Sequence, residues 1–116
     1  MKYEAEHDSI AGHERRNRDL VARILANGGS LIITRVLELF FWAPSQTTGT
    51  SLAEALRVLD LTNLEVRPSA DGASDWCVSG QLQASVQHMT SAQFTEQLVR
   101  LAAKHDSDYD GWGTEL

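Results

Sequence analysis

The residues best suited to chemistry lie near the end of the sequence, where Asp106, Asp108 and Asp110 alternate with other residues and Gly111 follows. Alternating carboxylates followed by glycine are typical of the start of an EF-hand calcium loop, which needs a bidentate glutamate at its twelfth position. Counted from Asp106, that position lies beyond Leu116. We therefore expect no specific metal site here. The remaining interpretations are an acidic surface that docks a partner and the entry to a last strand.

Other groups that could catalyse a reaction are scattered along the chain. Cys77 is the one cysteine, so an internal disulfide and a thiolate-rich zinc site are excluded, and no activating motif surrounds it. His7, His13, His88 and His105 show none of the i, i+4 pairing that metal-dependent hydrolases use. The sequence predicts a protein that is not an enzyme and that carries no cofactor and no metal.

The charge of the chain argues against nucleic acid as a direct ligand. Formal net charge is −6, from 10 Lys and Arg against 16 Asp and Glu, whereas binding to phosphate backbones is driven by basic surface. Exposed aromatic residues on a sheet can stack bases. Phe40, Phe41 and Trp42 are candidates, but we expect a central strand to bury them. An acidic end without Lys or Arg suits a basic protein partner instead.

Length and composition predict one domain, residues 1–116. The chain has 116 residues, of which 42% are hydrophobic, enough for a modest core. No apolar run approaches the roughly 18 residues that a membrane span requires. The first residues are acidic and lack the apolar stretch of a secretory signal, so we expect a cytoplasmic location without membrane attachment.

Apolar residues at helical spacing, flanked by capping residues, predict three helices. They cover residues 9–27, 51–61 and 91–104, with N-terminal signals at Ser9, at Ser51 with Glu54, and at Thr90 with Gln93. The Asn27-Gly28-Gly29 segment predicts a left-handed ending for the first helix.

Alternation and β-branched or aromatic content predict strands at residues 31–42, 64–67 and 76–86, and the tail from residue 108 could form a last one. The 31–42 segment is apolar on both alternate sets, so we expect it to be central and covered on both faces. The 76–86 segment has one apolar and one polar face. Asp71-Gly72 indicates a turn before it.

This order predicts an α+β fold, a ferredoxin-like sandwich of β-α-β-β-α-β order over about residues 31–116, with an extra N-terminal helix. That first helix could cover part of the open face of the sheet, or it could extend the helical layer.

The segment DYDGWGT at residues 108–114 follows the helix of residues 98–104, and it resembles the closing signature of the regulator of ribonuclease E activity B family (RraB). The Tyr-Asp-Gly-Trp-Gly part is the specific element. Similarity of order and spacing extends to Arg35-Val36, to the 52–59 helix and to the 76–86 strand, and so covers most of the chain.

The resemblance implies a small cytoplasmic protein of ferredoxin-like fold that is not itself a nuclease. The best-studied member of that family binds the regulatory region of ribonuclease E and restrains RNA cleavage. A protein partner, a ribonuclease E-type enzyme, is therefore expected here. Fold similarity alone does not fix the function.

We expect a docking edge formed by Asp106, Asp108, Tyr109, Asp110 and Trp112. The two aromatic residues are also typical of packing at a sheet edge, and both roles can coexist. The alternative function is a structural or self-associating module that uses the polar face of residues 77–87 or an edge strand. The sequence predicts a monomer or a weak homo-oligomer.

Overall fold

The computed structural model describes residues 2–70 and 74–114, with side chains from residue 9 onward. The elements, in chain order, are α1 (Lys2–Ala26), β1 (Thr34–Ala43), α2 (Gln46–Arg57), β2 (Thr62–Pro68), β3 (Trp76–Ser85), α3 (Val86–Met89), α4 (Ala92–Lys104) and β4 (Asp108–Gly113). The predicted α+β class is confirmed. After α1 the strands and long helices follow the order β-α-β-β-α-β, with the short α3 inserted before α4. The predicted Asp71-Gly72 turn and Glu115 lie outside the described residues.

The four strands form one sheet in the order β2-β3-β1-β4. Every neighbouring pair is antiparallel. In this order the last strand of the chain lies at one edge beside the first, and β2 lies at the other edge. This arrangement places the predicted tail strand next to the long central strand β1.

One face of the sheet carries the core. On β1 the side chains of Leu37, Leu39, Phe41 and Ala43 are buried among those of α2 and α4. The opposite side of β1 is open, because Val36 and Glu38 are exposed and Phe40 and Trp42 are only half-buried. The prediction that β1 is covered on both faces is therefore wrong, although its central position is confirmed. When the open face of a strand also carries apolar residues, both alternate sets of its residues are apolar, as they are in a strand covered on both faces.

The strand β3 has the two faces that its alternation predicts. Val78 and Leu82 point into the core, whereas Gln83 on the other face is exposed. The segment turns helical at Val86, which begins α3 rather than ending the strand.

The helix N-termini differ from the predicted ones. α1 runs through Ser9, which therefore caps nothing. The N-cap of α2 is Ser45, whose hydroxyl accepts from the Thr48 N–H, and that of α4 is Ser91. The predicted N-caps at Ser51 and Thr90 are therefore wrong. α2 is capped six residues earlier, by Ser45, and α4 is capped one residue later, by Ser91.

The predicted ending of α1 is confirmed. Gly28 has φ +76°, its N–H donates to the Leu25 carbonyl, and the Gly29 N–H donates to the Ile24 carbonyl. This pair of bonds is a Schellman ending. α1 then packs beside α4, so it extends the helical layer and leaves the open face of the sheet uncovered.

Candidate functional site

β4 is an edge strand with a bulge at its centre. Phe41 pairs with Tyr109 and Phe40 pairs with Gly111, which leaves Asp110 as an extra residue. Gly111 has φ +147°, a conformation that favours glycine. The Asp110-Gly111 pair therefore forms a β-bulge, which the backbone freedom of Gly111 permits.

Tyr109 is the aromatic anchor of β4. Its side chain is 5% exposed, stacks on the His13 ring at 4.4 Å between centroids, and lies 5.2 Å from the Phe41 ring. Burial raises the pKa of the Tyr109 phenol well above its usual range. Tyr109 therefore holds the predicted docking edge in place through its buried side chain.

His13 of α1 holds β4 by its backbone. Its Nε2 lies 2.8 Å from the Tyr109 carbonyl oxygen, and its Nδ1 lies 3.0 Å from a guanidinium nitrogen of Arg16. Both contacts are satisfied when Nε2 carries the proton and donates while Nδ1 accepts. Burial lowers the pKa of His13, the bond to Tyr109 opposes this shift, and the charge of Arg16 adds to it. The ring is therefore neutral at pH 7, held between helix and strand.

Asn17 links three elements. The Trp112 indole Nε1–H of β4 donates to Asn17 Oδ1 at 2.9 Å, and Asn17 Nδ2 donates to Thr95 Oγ1 of α4 at 3.2 Å. Asn17 and Thr95 are both buried, so each bond satisfies a polar group that water does not reach. Trp112 is half-buried, and its position is set by this network.

Sequence reasoning missed His13 and Asn17. A signal was present, because positions 13 and 17 continue the helical stripe of Ile10, Leu20 and Ile24 at spacings of three and four residues. Two polar residues on a stripe that faces the protein interior indicate buried hydrogen bonds.

The three aspartates lie on the solvent side of this anchored edge. Asp108 and Asp110 are exposed on β4. Asp106 is exposed just before the strand, at φ +55°, where its N–H donates to the Ala103 carbonyl and the Ser107 N–H donates to the Ala102 carbonyl. Asp106 therefore occupies the left-handed position of a Schellman ending of α4.

Bond-making chemistry finds little support. Ser51 Oγ lies 3.1 Å from His105 Nδ1, but the pair is exposed, and within residues 2–70 and 74–114 no carboxylate holds the other ring nitrogen. Burial raises the pKa of the Cys77 thiol, and the nearby Asp110 adds to this shift, so the thiol is a poor nucleophile at neutral pH. In the same described part, no three His, Cys, Asp or Glu residues are grouped to hold a metal ion. No helix among the described residues combines the length and the apolar character that crossing a membrane requires.

Comparison with known proteins gives two matches. Residues 14–114 match the model of a protein family described as "Regulator of ribonuclease activity B". A protein of Photobacterium profundum named "Regulator of ribonuclease activity B" is 31% identical over 110 residues, which cover 90% of this chain and 82% of that relative. The family match contains Asn17 and the whole of β4.

Proposed function

Because the chain belongs to the Regulator of ribonuclease activity B family, we propose that it regulates a ribonuclease by binding a protein partner, without bond chemistry of its own. The partner that we expect is a ribonuclease E-type enzyme, met in the cytoplasm. Binding would act by covering a surface of that enzyme or by restraining its conformation.

The observation that carries this proposal is the construction of the β4 edge. Asp106, Asp108 and Asp110 are all exposed, and Tyr109 and Trp112 fix the backbone between them from the inner side. A rigid row of carboxylates binds a basic surface without the entropy cost of ordering a loop. Charge of this kind mainly raises the association rate, in a way that salt weakens.

The test replaces the three aspartates by asparagine in one variant. Asparagine is the best choice because it tolerates the left-handed conformation of Asp106 and nearly keeps the side-chain shape. We expect the affinity for a purified ribonuclease E-type enzyme at low salt to fall by about tenfold, mostly through a slower association rate. Surface plasmon resonance at two salt concentrations measures both effects.

The matched control removes the same number of charges elsewhere. Asp19→Asn, Glu54→Gln and Asp60→Asn change three exposed positions on α1, α2 and the loop before β2, and Asp60 has φ +70°, close to that of Asp106. We expect this control to bind like the parent chain. Equal binding by both variants would exclude the docking edge. No binding by the parent chain, together with self-association in sedimentation velocity, would favour a self-associating module instead.

A further inference from the structure

The open face of the sheet has a row of side chains along its central strand. Val36, Glu38, Phe40 and Trp42 all project from β1 on this side. Val36 is 50% exposed, although it is aliphatic. The row therefore offers water an apolar surface interrupted by one carboxylate.

Beside this row, β4 presents bare backbone. Glu38 pairs with Gly113, and Phe40 pairs with Gly111. A Cβ added at either glycine would meet no atom within 4 Å, so the space above them is empty. The result is a trough of about 570 Å³, here called the β4 trough, and its lining residues are Arg35, Val36, Glu38, Phe40, Gly113 and Thr114. Its size suits one long side chain with part of a backbone.

The charges around the β4 trough are mainly negative. Glu38 is exposed inside it, and Asp108 lies on the same face next to Trp42. No ion pair joins either carboxylate to another residue of the described part. On the far edge of the sheet, by contrast, Glu65 forms an ion pair with Arg67. The uncompensated negative charge therefore lies on the β1 and β4 side.

Arg35 contributes to the end of the trough, but strand alternation puts its side chain on the helix-facing side of β1, with Leu37. On that side Arg35 lines a separate cavity with Ile24 and Asn27. The open side of the trough therefore offers a bound chain an aromatic ring, Phe40, and a carboxylate, Glu38.

We propose that the β4 trough binds an arginine side chain from an extended basic segment of a protein partner. The guanidinium stacks on the Phe40 ring and pairs with the Glu38 carboxylate. Arginine fits better than lysine because its planar group both stacks on an aromatic ring and forms forked bonds to a carboxylate. Nucleic acid fits poorly, since its phosphates would face Glu38 and Asp108. The inference rests on the proposed function, because it names the chemistry of the partner at the same edge.

The experiment uses the full chain labelled with ¹⁵N and two 12-residue peptides, one alternating glycine with arginine and the other glycine with lysine. We expect the arginine peptide to shift the amide signals of Glu38, Phe40 and Gly113 and the indole signal of Trp42. The lysine peptide should bind about fivefold more weakly, which corresponds to the loss of one exposed stacking contact.

Two variants test the contacts. Gly113→Val places a side chain in the trough, where a Cβ at this position meets no atom within 4 Å. It should lower the affinity for the arginine peptide by about tenfold, close to the loss of one charged hydrogen bond. Glu38→Gln should weaken it by about fivefold. The matched control, Glu54→Gln, removes an equal charge from exposed α2 and should change nothing.

Four results would overturn the inference. Equal affinity for both peptides, or shifts confined to Asp106, Asp108 and Asp110, would mean general charge attraction at the edge. Unchanged binding by Gly113→Val would mean that the trough is not used. Shifts of the trough signals on concentrating the chain alone would mean that a second copy occupies it. Each can occur while the ribonuclease still binds in the aspartate test, so the two proposals fail separately.

Discussion

The two edges of the sheet are built differently. At one edge, β2 turns only half-buried apolar side chains toward the helices, Leu64 and Val66, and its outer face carries the Glu65–Arg67 ion pair. At the other edge, β4 buries Tyr109 almost completely and is hydrogen-bonded to two side chains of α1.

The difference shows two ways to manage an edge strand. β2 carries charged side chains, a register irregularity between Thr62 and Glu65, and a final proline, all of which discourage pairing with another chain. β4 is instead held by α1, whose His13 side chain is hydrogen-bonded to the Tyr109 carbonyl. A strand held in this way can expose a fixed row of carboxylates, whereas the outer face of β2 is already paired and neutral.

The largest effect should come from removing the anchor of β4. We expect Tyr109→Ala to reduce the free energy of unfolding by about 3–5 kcal/mol, because it empties a buried aromatic site between His13 and Phe41. Val66→Ala on the half-buried β2 should cost about 1 kcal/mol. Urea unfolding followed by circular dichroism measures both values. Equal costs would show that the two edges are anchored alike.

The next effect concerns the indole hydrogen bond. Trp112→Phe removes the donor to Asn17 Oδ1 and leaves a buried acceptor unpaired, which should cost about 1–2 kcal/mol. Trp76→Phe is the control, since Trp76 begins β3 next to β2 and takes part in no side-chain hydrogen bond described for residues 2–70 and 74–114. The same unfolding experiment applies, and a smaller loss for Trp112→Phe than for Trp76→Phe would contradict the role of the Asn17 network.

The contact of α1 with β4 should depend on pH. The pKa of His13 is lowered in the folded chain from its ordinary value of 6.5, so the unfolded chain takes up the proton more readily. The stabilisation is thus fully present above pH 6.5 and is lost as the pH falls through that value toward the folded pKa. Between pH 7.5 and pH 5.5 the free energy of unfolding should therefore decrease through this residue.

His13→Gln provides the reference for that measurement. Glutamine can place an N–H near the Tyr109 carbonyl but does not titrate, so the variant should show a weaker dependence over the same pH range. The other histidines are present in both proteins and cancel in the difference. Parallel pH profiles would show that His13 does not control the junction.

The smallest effect should appear on the β2 side. Glu65→Gln removes an ion pair whose partners are 49% and 69% exposed, and it should change the free energy of unfolding by less than about 0.5 kcal/mol. A loss above about 1 kcal/mol, seen in the same urea titration and absent at high salt, would mean that the β2 edge depends on its charges more than the burial indicates.

Much of the fold follows from local patterns. The alternation of β3, the helical stripe of α4 and the Gly28 ending of α1 are short-range features, and each was predicted from neighbouring residues alone. The backbone freedom of Gly111, which permits the bulge beside Asp110, is likewise a property of a single residue.

Long-range features were out of reach. The two hydrogen bonds that hold β4 join residues far apart in the sequence. His13 and Tyr109 are separated by 96 residues, and Asn17 and Trp112 by 95, so no local stretch of sequence contains both partners. The open side of β1 was missed for a related reason. Apolar residues such as Phe40 and Trp42 occur on a strand whether or not a helix covers that face. The face of β1 that carries them is open because α1 packs beside α4 and not across the sheet.

The bulge at Asp110 sets which way the whole of β4 faces. In a regular strand, residues three apart point to opposite sides, yet Tyr109 and Trp112 both pair with inward residues of β1, Phe41 and Leu39. The single extra residue acts as a parity switch. Deleting it would turn the Trp112 indole onto the open face, where it would break its bond to Asn17 and occupy the space that the glycines leave empty. One residue of chain length thus decides whether this edge has a packed interior and a vacant surface, or the reverse.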